Sequence, residues 1–218
     1  MLGAEVHLVN DREERMRTMP RIAGKLRDEG VRVFEIPLGG ATAHGALGFV
    51  EAAGEVAAQL QVMGLRIDRI FQASSTGGTH AGLMVGARLF GLEHTRIIGV
   101  SPDDLAQVIT ADVRRLLTEV GELLGISTDG LRDEVMVLDQ YAGPGYCVST
   151  PESEAAMALL ARTEGIFLDS VYTAKAMAAL LDWIRQGRLT ENDNVLFWHT
   201  GGQVTLFYTP VTDKQNPG

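Results

Sequence analysis

An apolar run stops at hydroxyls and paired glycines in Phe71-Gln72-Ala73-Ser74-Ser75-Thr76-Gly77-Gly78-Thr79-His80-Ala81-Gly82-Leu83. The order predicts a strand, a loop and then a helix. Glycines let the backbone turn so that successive N–H groups converge, Ser75, Thr76 and Thr79 add hydroxyl donors, and the following helix presents the positive end of its dipole. Such a loop is built to hold an anion, first of all a phosphate. The plainer alternative is a tight strand-to-helix turn with no ligand. Gly77-Gly78-Thr79 is followed by His80 rather than a lysine, so the loop is not a P-loop, and no loop matches G-x-G-x-x-G after a strand.

Tyr146, in Gly143-Pro144-Gly145-Tyr146, and Tyr172, in Asp169-Ser170-Val171-Tyr172-Thr173, sit beside turn residues. A phenol there can give or take a proton next to a ligand. The alternative is a half-buried tyrosine whose hydroxyl rests on a backbone carbonyl. His80 opens a helix and His199 ends a strand, and singly both read as structural. Cys147, the sole cysteine, reads as a small apolar residue before it reads as a nucleophile. No His and carboxylate pair has the H-E-x-x-H spacing, so a metal site has no support. Of 19 basic residues only Lys25, Lys175 and Lys214 are lysines, which leaves three candidates for any chemistry that needs a lysine amine.

The elements that must position these residues alternate along the chain. Glu5 to Val9 and Arg32 to Ile36 read as strands around a charged helix that Asn10 or Asp11 caps, Pro20 kinks or divides and Gly30 ends. An alanine-rich helix runs from Ala46 to about Met63. Arg69 to Ala73 is a strand entering the cradle, and Thr79 to Phe90 a helix. Arg96 to Val100 is a strand, Pro102 to Leu124 a helix with Asp103 and Asp104 in its first turn, and Val135 to Leu138 a strand. Pro151 starts a helix to Arg162, another spans Ala174 to Gln186, and Asn194 to Trp198 is the last strand. Thr212 to Gly218 reads as a frayed tail.

Strands alternating with helices and apolar on both faces predict an α/β fold, a mostly parallel sheet covered on both sides. Ligands bind such sheets at the carboxyl ends of the strands. The loops at Gly39 to Thr42, Ser74 to Thr79, Asp139 to Tyr146 and His199 to Gly202 are expected to meet there. With 218 residues, 45% of them apolar, the chain can bury a substantial core. A net charge of −9 argues against nucleic acid as a partner and favours a small soluble substrate. One cysteine excludes an internal disulfide framework and fits a reducing cytoplasm. No stretch has the length to span a bilayer, and the N-terminus lacks a signal-peptide pattern, so a soluble cytoplasmic protein with no membrane contact is expected.

Seven segments in their order carry a specific resemblance: Ile36-Pro37-Leu38-Gly39-Gly40-Ala41, Gly45-Ala46-Leu47-Gly48-Phe49, Gly77 to Leu83, Gly143-Pro144-Gly145-Tyr146, Glu164 to Asp169, Val171-Tyr172-Thr173-Ala174-Lys175-Ala176 and His199-Thr200-Gly201-Gly202. They resemble the D-cysteine desulfhydrase and 1-aminocyclopropane-1-carboxylate deaminase family of pyridoxal-phosphate enzymes, over essentially Leu2 to Pro210. The resemblance implies a tryptophan-synthase-β-like fold (fold type II), with residues 1–44 a remnant of the small domain and 45–218 the large cofactor-binding domain. It places the cofactor phosphate on Ser75, Thr76, Gly77, Gly78 and Thr79. It makes Tyr146 and Tyr172 the active-site tyrosines, and sets Thr200, with Thr173 close by, at the pyridine nitrogen. The deaminase has a glutamate where Thr173 stands, which points to the desulfhydrase side.

Ser170, Ala174 and Ala41 depart from a usual proline, glycine and serine. The family's first third is expected to be missing, with the lysine that forms the Schiff base. Lys175 is the only internal candidate near the motifs, and the resemblance does not give it that role. The implied activity is β-elimination from a small D-cysteine-like amino acid, giving pyruvate, ammonia and sulfide, with this chain inactive alone. A deaminase-like enzyme and a non-catalytic binder of pyridoxal phosphate or another phosphate are the alternatives. A homodimer or a complementing N-terminal chain is the expected partner.

Overall fold

The computed structural model describes residues 3–203. The expected frayed tail, Thr212 to Gly218, and Lys214 within it lie outside the described residues. The described chain falls into two compact units that meet in sequence between Gly40 and Ala41.

The first unit is built on α1 (Arg12–Asp28). Asp11 caps it by accepting the Glu14 N–H at 2.7 Å, and the Val31 N–H closes the far end on the Leu26 carbonyl at 2.9 Å beside Gly30, which has a positive φ. Pro20 does not divide the helix, which runs through it. The segments Glu5 to Val9 and Arg32 to Ile36 form no strand. Alternation specifies which side chains share a face, but a strand exists only where a partner takes its N–H and C=O groups. Neither segment has such a partner among the described residues, and Val6, Leu8, Phe34 and Ile36 stand exposed.

The second unit alternates α2 (Ala43–Met63), β1 (Arg69–Ala73), α3 (Gly78–Leu89), β2 (Arg96–Val100), α4 (Ala106–Leu124), β3 (Met136–Leu138), α5 (Pro151–Thr163), α6 (Thr173–Arg185) and β4 (Val195–Phe197). The strands form one parallel sheet in the order β3-β2-β1-β4. Ile70 and Ile97 face a core shared with α2, α3 and α4, and Phe71, Ile98 and Val100 face the opposite core with α5 and α6. There Trp183 meets Phe71 edge-on at 5.2 Å between ring centroids, and the Arg188 guanidinium lies 3.7 Å from the Trp183 ring centroid.

The helix expected from Pro102 begins only at Ala106, so Asp103 and Asp104 are not in its first turn. Ser101 holds them in a bend, its Oγ accepting the Asp103 N–H and donating to the Asp104 carbonyl. The α4 N-terminus is capped from elsewhere, by Asp139 Oδ2 on the Ala106 N–H at 2.7 Å.

Two glycines one helical turn apart set the approach of α3 to α2. A Cβ on Gly82 would stand 2.4 Å from the Ala46 carbonyl oxygen, and one on Gly86 2.5 Å from the Ala53 Cβ. Both neighbours are fixed parts of α2, so neither can yield cheaply. Gly82→Ala is expected to lower stability by about 2 kcal/mol, the usual cost of overpacking, in urea unfolding followed by circular dichroism. Gly91→Ala, with nothing within 4 Å of the added Cβ, tests instead only the cost of its left-handed backbone, and is expected to lose less.

Candidate functional site

Loops 74–77, 101–105, 139–150 and 198–202 leave the carboxyl ends of β1, β2, β3 and β4. Of the loop expected at Gly39 to Thr42, Ala41 and Thr42 belong to this unit. Thr42 Oγ1 caps α2 by accepting the Gly45 N–H at 3.0 Å.

The Ser74 N–H donates to the Val100 carbonyl at 2.8 Å, extending the pairing of β1 with β2 to the lip of the cradle. Gly77 then turns the chain at φ +82°, and a Cβ there would also press on Val113 at 3.0 Å. The first hydrogen bond of α3 runs from the Ala81 N–H to the Gly77 carbonyl at 2.9 Å. The N–H groups of Gly78, Thr79 and His80 precede it and have no acceptor within the helix.

Side chains take the first N–H groups of the neighbouring helices. Asp139 caps α4, the Thr150 and Ser153 capping box closes α5, and Asp169 covers α6. Gly77 gives α3 no such cap. The front of the cradle is open, for the nearest atom to a Cβ on Gly78 is the Ala41 Cα at 3.8 Å. Ser75, Thr76 and Thr79 are half-buried beside it. Convergent donors, a dipole end and free space are what a phosphate requires.

Behind the cradle His80 is fully buried, with Nδ1 3.3 Å from Ser74 Oγ. Burial lowers its pKa to about 4, so the imidazole is neutral at pH 7.

Tyr146 and Tyr172 come together. Their hydroxyls share a short hydrogen bond, and their rings meet edge-to-face at 5.8 Å between centroids. Tyr146 is 52% exposed and Tyr172 half-buried, so one of the pair faces solvent. Burial, then the bond to Tyr146, pushes the Tyr172 phenol well above its ordinary value. Next to them Cys147 is exposed at φ +59°, not a packed apolar cysteine.

Lys175 is fully buried below that loop. Its Nζ donates to the carbonyls of Pro102 at 2.7 Å, Ala142 at 2.6 Å and Gly145 at 3.0 Å. Those three bonds use every proton of the ammonium. Burial lowers its pKa, and the Asp103 carboxylate acts the other way.

Thr173 is buried, and its hydroxyl donates to Asp169 Oδ1 while accepting the Asp169 N–H at 2.8 Å. Thr200 is exposed, in a loop that His199 fixes. His199 Nδ1 accepts the Gly201 N–H at 3.0 Å, so its Nε2 carries the proton and donates to the Phe167 carbonyl at 2.9 Å.

Sequence reasoning did not single out Asp169. Its carboxylate accepts the N–H groups of Val171, Tyr172 and Thr173, each at 2.8 Å, and so orients Tyr172. An aspartate a few residues before a helix start is the signal of such a cap. The buried Asp103 Oδ1, without a hydrogen-bond partner, had no signal beyond its acidic type.

The sequence pattern of the pyridoxal-phosphate dependent enzymes matches residues 1–201. The chain belongs to this family. It is 37% identical over 207 residues to the D-cysteine desulfhydrase of Yersinia enterocolitica, a match that takes in 95% of this chain and 62% of the relative. The chain therefore spans about three fifths of the length of that curated relative. The crystal structure of an ACC deaminase homologue superposes with a TM-score of 0.79 at 36% identity, over 91% of this chain and 58% of that one. The processed form of threonine deaminase isoform 2 from Solanum lycopersicum shares the fold, with a TM-score of 0.51 at 16% identity over 92% of this chain and 53% of that one. The fold is that of the fold type II pyridoxal-phosphate enzymes, as the motifs implied, and the family depends on that cofactor. The open, uncapped start of α3 fits its phosphate.

Two outcomes follow from this geometry. Lys175→Met is expected to lower stability by about 3 kcal/mol or more in urea unfolding, since it leaves three carbonyls without their donor. His80 has a folded pKa of about 4 against 6.5 unfolded, so the unfolded chain binds more protons as pH falls below 6.5. Between pH 7 and pH 4 this group alone removes about 3 kcal/mol of stability. His80→Asn, with no titrating ring, is expected to show a pH dependence of unfolding smaller by that amount.

Proposed function

We propose that this chain is the cofactor-binding and tyrosine-bearing part of a D-cysteine desulfhydrase-like lyase. The observation that carries the reading is the start of α3, open in front and free of a side-chain cap where helices α4, α5 and α6 are covered. The phosphate of pyridoxal phosphate rests on Ser75, Thr76, Gly77, Gly78 and Thr79, and Thr200, with Thr173 close by, serves the ring nitrogen. Bound there, the cofactor supplies the electron sink that elimination from an amino acid requires. Tyr146 and Tyr172 flank a small amino-acid substrate and assist proton transfer, Tyr172 holding its proton firmly and Tyr146 opening the pair to solvent.

None of the three lysines serves as the Schiff-base residue in this reading. Lys175 has its ammonium committed to three carbonyls, Lys25 sits exposed on α1 beside Glu29, and Lys214 is in the C-terminal segment. The lysine comes from a complementing N-terminal segment, and the assembled enzyme is a cytoplasmic dimer. A deaminase-like substrate is the second reading, favoured by the likeness to the ACC deaminase homologue.

Calorimetry tests the cradle. Pyridoxal phosphate is expected to bind at least about tenfold more tightly than pyridoxal, and Gly78→Asp to abolish the difference by placing a carboxylate where the phosphate sits. Equal binding of the two vitamers sinks the phosphate assignment. For the reaction, D-cysteine is expected to release sulfide only when the N-terminal segment of the relative is added, and about a hundredfold more slowly in Tyr172→Phe. Sulfide from this chain by itself overturns the assignment of the lysine, and 1-aminocyclopropane-1-carboxylate turnover in place of sulfide favours the second reading. Tight phosphate-ester binding without turnover in the complemented protein indicates a non-catalytic binder.

A further inference from the structure

A polar group lies behind the cradle, inside an otherwise apolar layer. Gln72 and Ser74 alternate along the chain at the end of β1 and so point to one face. Gln72 is in register with Gly99 of β2. A Cβ on Gly99 would stand 2.6 Å from His80 Nδ1 and 2.8 Å from the Ser74 Cβ, so the imidazole occupies the room a side chain would take there. Gln72 and His80 are fully buried and Ser74 nearly so.

This arrangement is expensive. Both polar atoms of Gln72 and the Nε2 of His80 lack a hydrogen-bond partner, and each such buried atom costs on the order of 1–3 kcal/mol. A leucine at position 80 would fill the same space without that cost. What the imidazole has and a leucine lacks is polar contact: Nδ1 lies 3.3 Å from Ser74 Oγ, and the Ile97 backbone of β2 also acts on the ring.

The contact with Ser74 joins two particular points. Ser74 is the last residue before the cradle and is anchored to β2 through its N–H on Val100. His80 is the third residue of α3, and its own N–H is one of the three donors left without a helical acceptor. Between the joined ends lie Ser75, Thr76, Gly77, Gly78 and Thr79, the whole of the loop.

We propose that His80 is a positioning residue for the cofactor phosphate: with Ser74 it clasps the two ends of the 75–79 loop, so that the donors of the cradle are held convergent before the phosphate arrives. The clasp rests on the reading of the cradle as a phosphate site. Donors fixed in advance lose less freedom on binding, and the gain falls only on ligands that carry the phosphate.

The test measures affinity for pyridoxal phosphate, pyridoxal and inorganic phosphate by calorimetry, with the phosphorus resonance of the bound ester as a second readout. His80→Leu and Ser74→Ala are each expected to weaken pyridoxal phosphate and inorganic phosphate about tenfold and leave pyridoxal unchanged, the size of one lost hydrogen bond to a well-placed group. The double variant is expected to lose no more than either single one. His80→Asn, whose amide can reach the position of Nδ1, is expected to recover most of the affinity and the native phosphorus shift. Should His80→Leu fail to fold, Ser74→Ala carries the comparison. Native preference for phosphate esters in both single variants overturns the clasp and leaves the cradle standing. Absence of that preference in the unsubstituted protein overturns the cradle reading and the clasp with it.

Discussion

One buried ammonium holds the loops at the carboxyl end of the sheet in place. Lys175 projects from α6 and draws the carbonyl of Pro102, after β2, together with those of Ala142 and Gly145, after β3. Taking a cation out of water costs several kcal/mol, and only a full set of acceptors offsets it. The loop that yields those carbonyls pays in backbone conformation, with positive φ at Gly143, Gly145 and Cys147. In return Tyr146 is delivered against Tyr172, three residues before Lys175 on the same side of α6 as the helix begins. The same loop thus meets the start of α6 twice, through the tyrosine pair and through a lysine whose protons are all taken.

Helix starts divide the site by a similar rule. The donors at the head of α6 are absorbed by Asp169, which orients Tyr172 and fixes Thr173, and those of α4 by Asp139. Among the described residues, only between β1 and α3 does the chain end a strand and start a helix with glycine at the cap. The close approach of α3 to α2 at Gly82 and Gly86 keeps that start fixed in the second unit. Among these loops the start of α3 is thus the one left without a side-chain cap, and the phenols stand at another part of the same end of the sheet.

Much of this was legible in the residues. The four strands of the second unit announced themselves as apolar runs ended by glycine or polar residues, because both faces of a parallel sheet are covered. The strand, turn and helix around the cradle were legible because their signals are local: an apolar run, paired glycines and a following helix in one stretch. The segments at Glu5 and Arg32 misled, since alternation predicts a face and not a partner strand. The start of α4 misled because Ser101 and a distant Asp139 compete for the polar groups that Asp103 and Asp104 were expected to serve. Long-range contacts of this kind leave no trace in spacing. The same holds for Lys175, whose three acceptors lie 30 to 73 residues away in sequence.

The most direct measurement concerns the lysine. Incubation with pyridoxal phosphate, reduction with borohydride and peptide mass mapping report which amine, if any, stands at the cofactor's aldehyde. The proposed reading predicts bound cofactor that leaves Lys175 unmodified while its phosphate is retained by the cradle. A stoichiometric pyridoxyl adduct on Lys175 would contradict it, since the ammonium could then not be the post on which the loops are hung.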